Sequence, residues 1–89
     1  MRKVTIEYSE DFRENKVAPT VYAALRDGGF DPIAVTHQYI IKLGMSRVEF
    51  DFGGHDLPSQ SQLEEKLKEL KLGFVKIKVQ GSQAHTVEL

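Results

Sequence analysis

The residues best suited to metal or proton chemistry in this chain are three histidines, His37, His55 and His85. They fall on separate predicted elements, with neither the HExxH spacing nor a Cys/His spacing that would converge on one ion. Cysteine is absent, which excludes disulfides, thiolate nucleophiles and Cys-ligated zinc. His55-Asp56 spells the dyad of HD-type phosphohydrolases, but that chemistry needs further His and Asp ligands on a large helical domain. Asp51-Phe52-Gly53 spells the kinase DFG triplet in a chain far too short for a kinase. No phosphate-cradling glycine loop occurs. Ser46, Ser59, Ser61 and Ser82 lack a base and an orienting group, and Ser59 and Ser61 are accounted for as helix caps. The acidic run Glu10, Asp11, Glu14 is the remaining cluster able to attract a cation, and beside Arg13 and Lys16 it reads as a solvated loop. A small-molecule or acyl-phosphate enzyme on such a fold would need a buried Arg or Asn aimed into a cleft; the single asparagine, Asn15, lies in or beside that loop. The expectation is a protein that is not an enzyme and uses no metal and no cofactor.

The elements that position these residues must fit in 89 residues and 10.1 kDa, which is one domain, residues 1–89. Hydrophobic residues are 40% and charged residues 28%, a globular rather than a disordered balance. Lys plus Arg is 12 and Asp plus Glu is 13; without a basic excess, no nucleic-acid partner is expected. No apolar run reaches the ~20 residues of a membrane span, so no membrane association is expected. Met1-Arg2-Lys3 leads into alternating Val4-Thr5-Ile6-Glu7 and not into a secretory leader. The missing cysteines fit either redox compartment, and a cytoplasmic location is the working expectation.

Val4, Ile6 and Tyr8 alternate with Thr5 and Glu7, the pattern of a half-buried strand. Ser9 to Lys16 reads as a loop, longer than the ~2–6 residues usual between strand and helix. A helix is predicted over about 19–27, with Pro19 in its first turn and Gly28-Gly29 ending it through positive φ. Its apolar face is Val17, Val21, Ala24, Leu25 and Gly28, and the small Ala18, Ala23 and Ala24 suggest close packing on a sheet. Ile33 to Leu43 reads as a second strand whose Tyr39-Ile40-Ile41 run is continuously apolar. After a Gly44-Met45-Ser46 turn, Arg47 to Phe52 alternates cleanly, with Val48, Phe50 and Phe52 inward, and should form a hairpin with the second strand. A second helix carries Leu63, Leu67 and Leu70 on one stripe, an i,i+4 pair Glu64 and Lys68, and a capping box at Ser59/Gln62 or Ser61/Glu64. Gly73 ends it. Phe74 to Val79 is the last full strand, with Val75, Ile77 and Val79 inward. Residues 81–89 form a tail or a short edge strand from His85.

The order βαββαβ predicts an α+β, ferredoxin-like sandwich: two helices on one face of a four-stranded antiparallel sheet. The other face would carry Lys3, Thr5, Glu7, Thr36, Gln38, Arg47, Glu49, Asp51, Lys76 and Lys78. An RNA-recognition module of this topology stacks bases on rings there. Its stacking positions would fall on Met45 and Arg47, neither of them aromatic, while Phe50 and Phe52 read as core.

The run Val48-Glu49-Phe50-Asp51-Phe52-Gly53-Gly54-His55, the helix with Leu63, Leu67, Glu69 and Leu70, the strand Val75-Lys76-Ile77-Lys78-Val79 and the turn Gly81-Ser82 resemble the ACT domains of prephenate dehydratases and aromatic amino-acid hydroxylases. Val21 to Leu25, Gly29 and Phe30-Asp31-Pro32-Ile33 look like that domain's first helix and the turn after it. The resemblance covers about residues 3–82. It implies a regulatory domain that senses an amino acid at a homodimer interface. Two family motifs depart: the loop that usually reads Pro-Gly-Ala-Leu is Lys16-Val17-Ala18-Pro19-Thr20-Val21, and the strand that usually reads Glu-Ser-Arg-Pro is Val35-Thr36-His37-Gln38. Transferred residue by residue, the ligand-binding candidates are Val17, Ala18, Thr20, Thr36 and His37. The alternative is a protein–protein assembly module of the same fold with no small ligand, using an edge strand or the acidic loop.

Overall fold

In β1 (Arg2–Ser9) side chains alternate across the strand, so Val4, Ile6 and Tyr8 are buried while Lys3, Thr5 and Glu7 face the other way. β3 (Met45–Gly53) buries Val48, Phe50 and Phe52, and β4 (Phe74–Val79) buries Val75, Ile77 and Val79. The register stacks these sets: Val4 lies opposite Phe50 and Val79, and Ile6 opposite Val48 and Ile77. α1 (Val17–Asp27) adds Ala18, Val21 and Leu25 to the same buried cluster, and α2 (Gln60–Lys68) adds Leu63 and Leu67. This computed structural model describes residues 2–9, 17–69 and 74–88. Leu70 and Gly73 of the second-helix reading, and the loop with Glu10, Asp11, Glu14 and Asn15, lie outside the described residues.

The sheet is antiparallel throughout, in the order β2-β3-β1-β4-β5. It therefore has five strands where four were expected. The fifth, β5 (His85–Glu88), follows a turn in which Gly81 takes φ 90° and Ser82 N–H donates to Val79 O at 2.9 Å. Only Val87 of this stretch packs on the core, so its sequence carries too little alternation to distinguish a strand from a tail.

β2 (Ala34–Ile40) is shorter than the expected strand to Leu43. Ile41–Leu43 instead coils into one 3-10 turn, closed by Gly44 in the left-handed conformation at φ 59°. β3 then begins at Met45, two residues before the expected Arg47. The end of α1 is a Schellman motif: Phe30 N–H reaches Leu25 O and Gly29 N–H reaches Arg26 O, both at 3.0 Å, with Gly29 at φ 87°. α1 starts at Val17, so Pro19 still falls in the first turn. Ala23, expected to pack, is exposed.

Of the two candidate caps of α2, Ser59 is the one used. Gln62 N–H donates to Ser59 Oγ at 3.2 Å, and Ser59 N–H donates to Gln62 Oε1 at 2.9 Å. The expected Glu64–Lys68 pair does not form. Glu64 Oε1 instead meets Gln60 Nε2 at 3.4 Å and His85 Nε2 at 3.8 Å, which ties β5 to the helix layer. Among the described residues, no helix is long and apolar enough to cross a membrane.

Candidate functional site

β2 forms one edge of the sheet and is paired within it only to β3. Opposite residues in a ladder share a face. Val35, His37 and Tyr39 therefore lie on the helix side, opposite Phe50, Val48 and Ser46. Thr36, Gln38 and Ile40 lie on the open side, opposite Glu49, Arg47 and Met45. The helices cover β3 fully and β2 only in part: Phe50 is 0% exposed and its neighbour Val35 is 41% exposed. Ile33 (62%), Ile41 (82%) and Leu43 (67%) continue this apolar surface before and after the strand. From Pro32 to Ile41 there is no Asp, Glu, Lys or Arg. Natural edge strands usually carry charge, proline or a bulge that blocks further pairing. This edge carries no such charge and is flanked by the exposed Ile33 and Ile41.

The approach to β2 is held in place from α1. Arg26 Nη1 donates to Tyr22 Oη and to Asp31 Oδ1, each at 3.2 Å, with the guanidinium 5.9 Å from the Tyr22 ring centre. The Tyr22 hydrogen bond, followed by Asp31, raises the Arg26 pKa further above its ordinary value. Pro32 is buried, and Ile33 N–H donates to Asp51 O at 2.7 Å. Gly53, at φ 57°, leaves room for the Ile33 side chain; a Cβ there would lie 2.8 Å from Ile33 Cδ1.

The five residues transferred from the ACT resemblance are not gathered on one surface. Ala18 is buried in the core and Thr20 is exposed in the first turns of α1, while the side chain of Val17 lies outside the described set. Thr36 and His37 are consecutive in a strand, so Thr36 joins the open face and His37 the helix side. Ile33, Ile41 and Leu43 were not among the candidates. The signal that marks Ile33 and Ile41 is the ten-residue stretch from Pro32 to Ile41 without Asp, Glu, Lys or Arg, legible once the strand is known to be an edge; Leu43 lies beyond it, after Lys42.

The open face is polar. Arg47 Nε meets Glu7 Oε1 at 3.0 Å, and Lys3 Nζ meets Glu49 Oε1 at 3.2 Å. A groove of 560 Å³ is walled by Lys3, Thr5, Glu49, Lys78 and Gln80, and one of 410 Å³ by Glu7, Gln38, Arg47 and Lys76. Of these wall residues, Lys3 with Glu49 and Arg47 with Glu7 are held in ion pairs across strands. Phe74 is the ring on this face among the described residues, at the start of β4. His37, His55 and His85 are dispersed over β2, the turn after β3 and β5, and no group of three metal-binding side chains occurs among the described residues. Asp56 lies 3.7 Å from Arg2, in a surface ion pair.

Comparison with known proteins finds no matching family model, no similar curated protein and no similar solved structure.

Proposed function

We propose that this chain is a non-catalytic regulatory domain of the ACT type that works as a homodimer joined along β2, with an amino acid as its effector. The observation that carries this is the edge strand β2, free of Asp, Glu, Lys and Arg and flanked by the exposed Ile33 and Ile41. Supporting it, the order β2-β3-β1-β4 with both helices feeding one core is the order of a ferredoxin-like βαββαβ domain, to which β5 is an addition. An effector at the seam between copies would act by favouring one pairing over another, and that free-energy difference is the regulation. An assembly module without a small ligand is the second reading, favoured by the placement of Thr36 and His37 on opposite faces of β2.

Light scattering of the full chain, with and without millimolar phenylalanine, tests both. The regulatory reading expects a dimer that tightens, with a melting temperature that rises for at least one aromatic or branched amino acid. A dimer indifferent to every amino acid leaves the assembly reading. A chain that stays monomeric at millimolar concentration and indifferent to every amino acid overturns the regulatory homodimer and favours an assembly module for a different protein partner.

A further inference from the structure

The row of side chains that β4 presents to the open face reads Phe74, Lys76, Lys78, and all three are exposed. Alternate residues of a strand stand about 7 Å apart on one face. The acidic groups of β1 and β3 are already engaged. Glu7 lies opposite both Arg47 and Lys76, and Arg47 Nε holds its Oε1 at 3.0 Å. Lys3 Nζ holds Glu49 Oε1 at 3.2 Å, and Asp51 Oδ1 accepts from Gly53 N–H at 2.8 Å. Lys76 and Lys78 form no ion pair among the described residues. The open face therefore holds two exposed, unmatched cations side by side on β4.

These lysines border a trough. Thr5 lies opposite Lys78 on one side and Glu49 on the other, and its short side chain leaves a low floor between two long ones. The grooves of 560 Å³ and 410 Å³ share these three residues, so they run together along β1. From Lys3 to Glu7 the trough is about 13 Å long, room for four or so extended residues. At the far end of the β4 row, Phe74 is 70% exposed and lies opposite Glu88 of β5. That end takes an apolar side chain and turns a carboxylate away, while the Lys76 and Lys78 end does the reverse. The ion pairs of Glu7 and Glu49 use Oε1 of each, so both carboxylates can still accept backbone N–H groups. They would repel a continuous polyanion such as a nucleic acid. A second copy of this face brings the same lysines, with its Glu7 and Glu49 already taken.

We propose that the open face of the sheet binds an extended acidic segment of another protein, with carboxylates two residues apart on Lys76 and Lys78 and an apolar side chain on Phe74. The surface lies away from the β2 edge, so this inference does not depend on the homodimer reading.

The probes are end-blocked peptides, Leu-Ser-Glu-Ser-Glu and its reverse, titrated to millimolar concentration against the isotope-labelled full chain at low salt and followed by amide resonances. In the unmodified chain at least one of them should shift the amides of Thr5, Lys76 and Lys78 more than those of β2, and the glutamine counterpart Leu-Ser-Gln-Ser-Gln should not. Lys76→Glu combined with Lys78→Glu should weaken binding about tenfold or more, since each contact turns from attraction to repulsion. Lys66→Glu combined with Lys68→Glu makes the same change in net charge on α2 and should leave the affinity within about twofold. Equal weakening by the two pairs would reduce the effect to net charge and overturn the site. Millimolar peptide that moves none of these amides overturns it outright. An oligouridylate that shifts the same amides at lower concentration than either peptide overturns the acidic-peptide assignment in favour of a nucleic acid.

Discussion

Replacing Val35 by lysine should separate the fold of the single chain from its association. Val35 lies on the helix side of β2, opposite Phe50, and is 41% exposed. Fully burying a valine is worth about 1.5 kcal/mol at the low end of the usual range, so about 0.6 kcal/mol is left for a partner to contribute. In a two-fold pair every substitution counts twice, and the two ammonium groups must also lose water at the seam. Together these come to roughly 2–3 kcal/mol, a dimer weakened about 30- to 150-fold. The isolated chain should lose under about 1 kcal/mol, because the lysine stem can lie over the same surface while its head stays in water. Sedimentation equilibrium gives the association constant, and urea unfolding at a dilution where the chain is monomeric gives the fold. An unchanged association constant would refute the claim that β2 is the seam. A loss above about 2 kcal/mol in the monomer would show Val35 to be part of the single-chain core instead.

Three further tests by substitution probe the fold that carries this edge. Ser46 is fully buried between Tyr8 and Tyr39 of the flanking strands, and its Oγ has no hydrogen-bond partner. Ser46→Ala should therefore stabilise by about 0.5–1 kcal/mol, seen by calorimetry as a rise of about 2–8 °C, and a fall in melting temperature would contradict the burial argument. Ser59→Ala should cost about 1 kcal/mol in urea unfolding. Combined with Gln62→Ala it should cost less than the sum, because the two bonds of the box are reciprocal; strict additivity would mean that they act separately. Gly53→Ala should cost more than Gly29→Ala. Both require a left-handed residue, about 1–2 kcal/mol for an L side chain, but only Gly53 also meets Ile33, at 2.8 Å, while Gly29 faces open space. Equal losses in urea would show that Ile33 yields freely.

The sequence makes the core legible because alternation and helical spacing are physical requirements of burial. Val48, Phe50 and Phe52 could face the helices only if Arg47, Glu49 and Asp51 faced water, and the structure keeps them so, with Leu63 and Leu67 in the same cluster. The Ser59 cap and the Gly29 turn were equally readable, since each solves a backbone problem with a specific residue type. The limits of β2 were not readable. β-branched composition continues from Ile33 through Ile41, and what ends the strand is the left-handed backbone at Gly44 closing a 3-10 turn, a conformational fact that composition does not encode. The fifth strand was legible only as an alternative to a tail: the short edge strand expected from His85 is β5, four residues with one packed valine whose place comes from pairing with β4, which is tertiary. Of the site, the apolar excess of Tyr39-Ile40-Ile41 was visible, but which strand lies at the edge depends on the sheet order.

The distribution of charge over the sheet gives the association its limit. On the open face, Glu7 with Arg47 and Lys3 with Glu49 cancel across strands. Exposed pairs of this kind add little stability, but they keep that face hydrated, so two sheets gain nothing by stacking. The β5 edge is four residues long and carries His85 and Glu88, a short, polar template on which strand addition is poor. Among the described residues, the β2 edge is the one without Asp, Glu, Lys or Arg, and it exposes Val35. A chain with two adhesive edges would propagate head to tail into a fibre, whereas one with a single self-complementary edge closes at two copies. On the proposed homodimer reading, the same asymmetry leaves β2 as the one edge for self-pairing, and closure at two copies follows.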